Sequence, residues 1–499
     1  MGRAFAVRGI VEGFYGTPWT HDARLRAISF LAPRGLNAYV YAPKDDAKHR
    51  ADWRTGYDSQ ELAHFGELAA VAATNAARVG FAISPGLDIS YESDTDRAAL
   101  FAKLEPLLDV GIPWFLLLLD DIPLQRDLAP RQAELATWLF ARLRGARADA
   151  SLTLCPTEYV GTRPSPYLGE LGAGLPADVD VMWTGPTVCS PTLRADDARR
   201  WTDALGGHRT IVWDNTPVND ATMTNELHLG PYLGRDADLA DVVGGVLCNP
   251  MTQAYASLLQ LSTAMEFLRD PDAYDAPTAW ARACADLGGE RAEPLAVLAR
   301  ACADGPLVEP GALELTQLVD RLEAALDGPD WADRAAALAR ELRPARALAT
   351  AFSGDDLGTE VAPWAAAVAA HASAGLAALR LIQQVRPVAR AAGGTVMVAD
   401  PESAMQHAFA LTYTWMAARA DEHTVFGPRF AVYSAVVQLP DGAGPALDVS
   451  ASLRENANVV DRLCRLALNT YEAWRCAPGT ERQPVIGPLP FRDRRLEGS

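Results

Sequence analysis

Pro-Trp-Phe-Leu-Leu-Leu-Leu-Asp-Asp-Ile-Pro, residues 113–123, carries an apolar run straight into a pair of carboxylates. A run of this length, opened by Pro113 and closed by Asp120-Asp121-Ile122-Pro123, suits a strand buried on both faces and is too short for a helix. The carboxyl end of such a strand is where α/β enzymes place their chemistry. Neighbouring side chains on an extended backbone point to opposite faces. Asp120 and Asp121 can therefore line one site only if the chain turns there, as Ile122-Pro123 suggests. Taken alone, the pair reads better as a helix cap beside a solvated acid, so the case for a site rests on the rest of the chain.

Short β-branched or aromatic runs recur on both sides, at 8–14, 36–41, 80–84, 151–154, 179–183, 210–213 and 244–248. Between them lie stretches of helical period at 21–31, 59–79, 94–108, 130–144, 193–205 and 255–268. With 113–119 the strands number eight, and eight strand-then-helix units in about 250 residues predict an α/β fold of the (β/α)8 TIM-barrel class. A doubly wound sheet is the alternative, but no GxGxxG follows the first strand and no phosphate-binding GxxxxGKS or GxxxxGKT occurs. Polar residues close every strand: Glu12-Gly13, Lys44-Asp45-Asp46, Asp88, Asp120-Asp121, Glu158-Tyr159, Thr184, Asp214-Asn215 and Asn249. In a barrel these ends converge on one mouth, with Tyr159, Trp183 and Trp213 expected as flat walls. Aromatic faces beside carboxylates and amides suit a sugar ring, which stacks through its C–H faces and hydrogen-bonds through its hydroxyls.

After about residue 270 the composition shifts to Ala, Leu, Arg and Glu, with Leu315, Leu318, Val319, Leu322 and Leu326 at helical spacing. Long helices are expected over 364–385, 402–420 and 456–474, within an all-α bundle of five or six helices. The stretch 430–445 reads as either a hairpin or a long connection. The predicted organisation is a barrel over 1–268, a helical bundle over 269–477 and a flexible tail over 478–499.

A formal charge of −18 and a pI near 4.9 disfavour nucleic-acid or anionic-membrane surfaces as partners. No apolar stretch is read as approaching the roughly 20 residues needed to span a bilayer, and the first residues lack the apolar core of a secretory signal, so a cytoplasmic location is expected. Seven cysteines without a CxxC spacing suit reduced, packed thiols. Eight histidines include no HExxH or HxH, so neither a metal centre nor any other cofactor is expected. A metal-dependent barrel hydrolase is disfavoured on the same ground.

The strand-end motifs, in order, are Val-Glu-Gly-Phe-Tyr-Gly-Thr-Pro-Trp (11–19), Tyr-Ala-Pro-Lys-Asp-Asp (41–46), Ser-Pro-Gly-Leu-Asp-Ile (84–89) and Leu-Asp-Asp-Ile (119–122). Cys-Pro-Thr-Glu-Tyr (155–159), Trp-Thr-Gly-Pro (183–186), Trp-Asp-Asn (213–215) and Asn-Pro (249–250) follow. This set, spanning roughly the first 265 residues, resembles the β-N-acetylglucosaminidases of glycoside hydrolase family eighty-four, the family of protein O-GlcNAcase and its bacterial relatives, once also called hyaluronidases. The resemblance implies a retaining, exo-acting glycosidase that uses the substrate's own 2-acetamido group as nucleophile, through an oxazoline. Neighbouring acids fit that variant better than the usual pair placed on opposite sides of the bond. Asp120 would orient the acetamido N–H and stabilise the charge developing on it. Asp121 would be the general acid and then the base. Repulsion between them would leave one protonated near neutral pH. The resemblance further implies Asp220 at O4 and O6 of the sugar, and Lys44, Asn249 and the Gly13 carbonyl around O3. It places Tyr159 and Asn215 near the acetamido group, and Trp213 as a wall of its pocket.

The implied partner is a GlcNAc-bearing glycoside or glycoprotein. In relatives the helical region helps form dimers and a cleft for the leaving group, which extends the expectation of a homodimer here. Arg163 stands where an apolar contact to the leaving group would be expected. Two alternatives stay open: a hydrolase of cell-wall or chitin oligosaccharides, and a non-catalytic GlcNAc-binding barrel.

Overall fold

Eight parallel strands close into a barrel in chain order in the computed structural model: β1 (Val7–Glu12), β2 (Ala38–Tyr41), β3 (Arg78–Ile83), β4 (Trp114–Leu118), β5 (Ser151–Cys155), β6 (Asp180–Trp183), β7 (Thr210–Asp214) and β8 (Gly245–Cys248). β8 pairs back on β1, with Val7 opposite Gly245 and Ile10 opposite Cys248. The structure describes residues 3–305, 307–308, 314–386, 400–427, 435–438, 445–448 and 458–475. The TIM barrel expected from the strand count is thus present, each strand within two residues of its expected start.

Alternation along the strands sorts the side chains into two layers. Trp114, Leu116 and Leu118 of β4 join Val11, Val40, Met182, Ile211 and Trp213 in the cluster inside the barrel. Phe115, Leu117 and Leu119 face the surrounding helices. Each of these leucines is fully buried, a gain of about 1.5–3 kcal/mol per side chain. A one-residue slip of β4 would exchange the two layers and point Asp120 among the helices, so the packing also fixes where the carboxylates emerge.

The helices are α1 (His21–Leu31), α2 (Ser59–Thr74), α3 (Asp94–Asp109), α4 (Leu128–Ala146), α5 (Pro166–Gly174), α6 (Ala195–Ala204) and α7 (Ala254–Arg269). α2 starts at a capping box, Asp58 with Glu61, and ends at Thr74 rather than at the expected 79. The alanine-rich run would continue a helix, but Ala76 turns into the left-handed region (φ +53°) and Arg78 already pairs as a strand with Ala38. Between β7 and β8 the chain makes two short 3-10 helices, Ala221–Met223 and Ala237–Asp241. No side chain at the N-cap position serves α7; instead Oε2 of Glu360 accepts the Ala256 N–H at 2.9 Å.

The remaining elements are α8 (Ala276–Gly288), α9 (Ala292–Ala301), α10 (Glu314–Ala325), α11 (Trp331–Arg346), α12 (Asp356–Val385), α13 (Pro401–Arg419), β9 (Ala435–Gln438), β10 (Pro445–Asp448) and α14 (Val459–Arg475). β9 and β10 pair antiparallel, so the described part of the ambiguous stretch is hairpin-like. The tail expected over 478–499 lies outside the described residues. Two compact units emerge, one drawn from 1–313, 348–366 and 423–456, the other from 314–347, 367–422 and 457–499. The barrel unit thus includes α8 and α9 and later segments as well, whereas the sequence places the boundary at 268/269. In the second unit, Asp461 accepts hydrogen bonds from the Trp415 indole, Arg419 and the Asn458 N–H.

One expectation is corrected here. α12 is long and apolar enough, over an 18-residue window, to cross a membrane by length and composition. The sequence reading missed it because alanines supply most of its apolar character. Of that window 78% is buried inside the protein, as in the core helix of a globular fold.

Candidate active site

Asp120 and Asp121 follow β4 and meet at Lys44. Alternation carries Asp120 inward after Leu118, and its Oδ2 accepts a hydrogen bond from the Lys44 ammonium. Asp121 would then point away, but its own backbone turns into the left-handed region (φ +55°) and swings the carboxylate back towards the mouth. The turn lies at Asp121 itself rather than at Ile122-Pro123. Oδ2 of Asp121 ends 3.9 Å from Lys44 Nζ and 3.8 Å from Arg50 Nη1, and accepts the Tyr15 hydroxyl at 2.7 Å. Its Oδ1 accepts the Tyr159 hydroxyl at 3.0 Å. Asp120 is only 7% exposed, and its Oδ1 is buried with no hydrogen-bond partner among the described residues. A buried carboxylate oxygen left unpaired costs about 1–3 kcal/mol or more, so this atom is set up to accept from something that enters.

The electrostatics correct a second expectation. Burial pushes the Asp121 carboxyl up, but Lys44, the two tyrosine hydroxyls and Arg50 outweigh it and hold the group below the usual carboxylate range. Repulsion from Asp120 does not keep Asp121 protonated, because the Lys44 ammonium neutralises it. Burial alone would lower Lys44; the two aspartates hold it above its ordinary value. Burial, followed by the charge of Asp121, pushes the Tyr15 hydroxyl up to about 12, so it remains a donor.

The second half of the site is an amide chain on the opposite strands. Asn249 Oδ1 accepts the Gly13 N–H at 3.1 Å, and its Nδ2 donates to Asn215 Oδ1 at 2.9 Å, which also accepts the Trp213 indole N–H at 3.0 Å. The Trp213 ring packs against Gly13, where a Cβ would fall 2.1 Å from it, so that backbone position tolerates only glycine. The Trp213 ring centroid is 5.5 Å from Lys44 Nζ, which joins the two halves. Tyr159 packs on the inner cluster that contains Trp213. Asp220 accepts the Tyr15 N–H at 2.8 Å, and burial, its largest influence, raises its carboxyl above the usual range. All nine residues proposed from the sequence therefore gather in one barrel mouth.

Several strand-end residues do not. Trp183, expected as a wall, is fully buried on the helix side, stacked on Trp201 with ring centroids 6.0 Å apart. Glu12 is buried against Arg24, which donates to it at 2.7 and 2.8 Å. Asp46 accepts the Tyr41 and Tyr57 hydroxyls, and Asp88 the Trp53 indole. Residues of opposite parity at a strand end face opposite layers, so the count of converging polar groups was too generous. Tyr15 and Arg50 were missed, although both lie within or just after motifs that carry the resemblance. Arg50 donates to the Tyr15 hydroxyl at 2.7 Å and so steadies the group that contacts Asp121. Arg163 is exposed on the loop after Tyr159. No group of three or more His, Cys, Asp or Glu side chains able to hold a metal occurs among the described residues.

Tyr15→Phe is expected to move the basic limb of the pH profile of kcat/KM to higher pH. The hydroxyl stabilises the charged form of Asp121, so its loss raises that carboxyl and keeps the acid form to higher pH. An unmoved limb would mean that Asp121 does not supply it.

A (β/α)8 barrel whose mouth holds adjacent carboxylates bridged by a buried lysine, beside an indole wall and an amide chain, belongs among the glycoside hydrolases. Residues 8–300 match the family described as beta-N-acetylglucosaminidase, and the chain belongs to that family. It is similar to protein O-GlcNAcase of Rattus norvegicus and of Mus musculus, 34% identical to each over 275 residues. That match covers 51% of this chain and 29% of each relative, so it spans under a third of their length. A point mutant of the O-GlcNAc hydrolase of Thermobaculum terrenum superposes with a TM-score of 0.77 at 28% identity, covering 95% of this chain and 98% of that one.

Proposed function

We propose that the chain is a retaining, exo-acting β-N-acetylglucosaminidase that removes terminal β-linked GlcNAc, with O-GlcNAc on Ser or Thr of proteins as the favoured substrate class. The observation that carries this is the buried, unpaired Oδ1 of Asp120 beside Asp121. An acceptor in that place suits the acetamido N–H. With that N–H held, the acetamido oxygen attacks C1, the bond from C1 to the leaving oxygen breaks, and Asp121 gives its proton to that oxygen. Asp121 then takes a proton from the water that opens the oxazoline. In the free site Asp121 is held as a carboxylate, so it acquires its proton as the sugar enters, excludes water and parts it from the Tyr15 hydroxyl. Trp213, Asn215 and Tyr159 enclose the acetamido group, while Asp220, Lys44, Asn249 and Gly13 hold the ring hydroxyls.

Release of the phenol from an aryl β-N-acetylglucosaminide, compared with its N-trifluoroacetyl analogue, tests the reading. Fluorine weakens the acetamido oxygen as a nucleophile, so a steep fall in rate is expected. Turnover insensitive to fluorination overturns the oxazoline route, and no turnover at all favours a GlcNAc-binding barrel.

The exposed Arg163 favours a second substrate reading, an anionic leaving group such as a cell-wall oligosaccharide; relative kcat/KM on glycopeptide and oligosaccharide substrates separates the two. The six described cysteines are all unpaired, which supports a reducing, cytoplasmic setting that cell fractionation would check. A homodimer through the helical region is also proposed, supported by Phe409, Tyr413 and Met416, exposed along one face of α13. Light scattering giving the 53.5 kDa monomer mass alone would overturn it.

A further inference from the structure

Behind the amide wall lies a buried clip that the reaction itself does not use. Arg235, with its side chain 3% exposed, donates through Nε and Nη2 to the two oxygens of Asp214 at 2.8 and 2.5 Å. Its other N–H groups reach the carbonyls of Ser190 (3.2 Å), Pro191 (3.1 Å) and Leu233 (2.6 Å). Every N–H of the guanidinium is engaged, a planar fork that lysine cannot reproduce. Tyr232 adds its hydroxyl to Asp214 Oδ2 at 2.7 Å. The main chain joins in, since Leu193 N–H donates to the Gly234 carbonyl at 2.9 Å and Asp236 N–H to the Leu193 carbonyl at 3.1 Å. The approach is close enough that a Cβ on Gly234 would fall 2.3 Å from the Pro191 oxygen.

Both ends of this clip lead to Asn215. Asp214 sits between Trp213 and Asn215, and alternation turns its own side chain away from the mouth while its neighbours face in. Ser190 closes the loop from 184 to 190, whose Val188 carbonyl accepts the Asn215 side chain at 2.7 Å. That loop is knitted by Ser190 Oγ, which donates to the Thr187 carbonyl at 2.8 Å. We infer that Arg235 is a positioning residue for the acyl pocket: by tying Asp214 at the end of β7 to the 190–191 backbone it sets where Trp213 and Asn215 stand, and so how large an N-acyl group the site accepts. This rests on the hydrolase reading above, because it takes Trp213 and Asn215 as the walls around the acetamido group.

The test compares aryl glycosides carrying N-acetyl and N-propanoyl groups on Arg235→Lys. Displacement of a wall by about 1 Å can cost about a hundredfold in rate, so kcat/KM on the N-acetyl substrate is expected to fall by about tenfold to a hundredfold. The preference for N-acetyl over N-propanoyl should shrink by about tenfold, since a pocket that has lost its wall no longer excludes the extra methylene. A role in stability alone would lower the melting temperature and the active fraction and leave that preference untouched, which would overturn the inference. Where Arg235→Lys does not fold, Tyr232→Phe removes one bond to Asp214 and decides instead: a smaller shift in the same direction is expected, and an unchanged preference overturns the inference. Wild-type protein inert on the N-acetyl substrate overturns the hydrolase reading and this inference together. Active wild type with unchanged preference in the variants overturns this inference alone.

Discussion

Asp121→Asn is expected to cut turnover of an alkyl β-N-acetylglucosaminide about a thousandfold, and that of a dinitrophenyl glycoside by about tenfold or less. An alkoxide leaves slowly unless it is protonated as the bond breaks, whereas a dinitrophenolate needs no proton. The amide keeps the size of the carboxyl but accepts only one of the two tyrosine hydroxyls, its NH2 donating to the oxygen of the other; both substrates meet that same change, so the contrast between them isolates the proton. Azide or formate should restore the activated substrate preferentially, by attacking the oxazoline that Asp121 no longer helps water to open. Equal losses on the two leaving groups would remove Asp121 from the acid role.

Asp120→Asn should behave differently, lowering both substrates together by about a hundredfold to a thousandfold, the scale lost with one preorganised electrostatic contact. In the proposed mechanism its task concerns the acetamido group, which attacks whatever the leaving group. The substitution also leaves the Lys44 ammonium, 3% exposed, without its main counter-charge, and breaking a buried pair costs about 3–5 kcal/mol. Asp121, 3.9 Å from the same ammonium, absorbs part of that loss. A melting curve taken with the kinetics separates the two effects. A variant that melts as the wild type yet falls only on the poor leaving group would contradict the assignment.

The barrel was legible because its decisive features are local. Six apolar residues between Pro113 and Asp120 can be satisfied only by a strand covered on both sides, and seven similar runs at helix-length spacing leave few other topologies. What the sequence could not resolve was facing. Asp120 and Trp213 point inward, whereas Trp183 and Glu12, equally prominent at strand ends, turn to the helices. The inward turn of Asp121 depends on one left-handed backbone angle that no residue type at that position announces. The pairing of Arg235 with Asp214 joins positions far apart along the chain and has no periodicity to betray it. The protonation of Asp121 was misjudged for a related reason: the repulsion of adjacent acids is visible in the sequence, while the lysine that cancels it comes from the loop after β2.

The barrel's last turns are held from far downstream. Glu360 receives the first turn of α7, just beyond Asn249, and the Asn225 carbonyl, on the loop that carries Asp220, accepts both the Trp364 indole at 3.0 Å and the Thr424 N–H at 2.8 Å. A ribosome making this chain emits Lys44, Asp120, Asp121 and all eight strands well before any of those anchors exists. At roughly 5–20 residues per second, the nascent barrel waits through a further stretch of synthesis with its seventh and eighth turns untethered. A gene cut after the last strand would therefore encode the paired acids without the means of finishing the mouth around them, and the barrel comes of age only once Thr424, some 175 residues beyond Asn249, has been made.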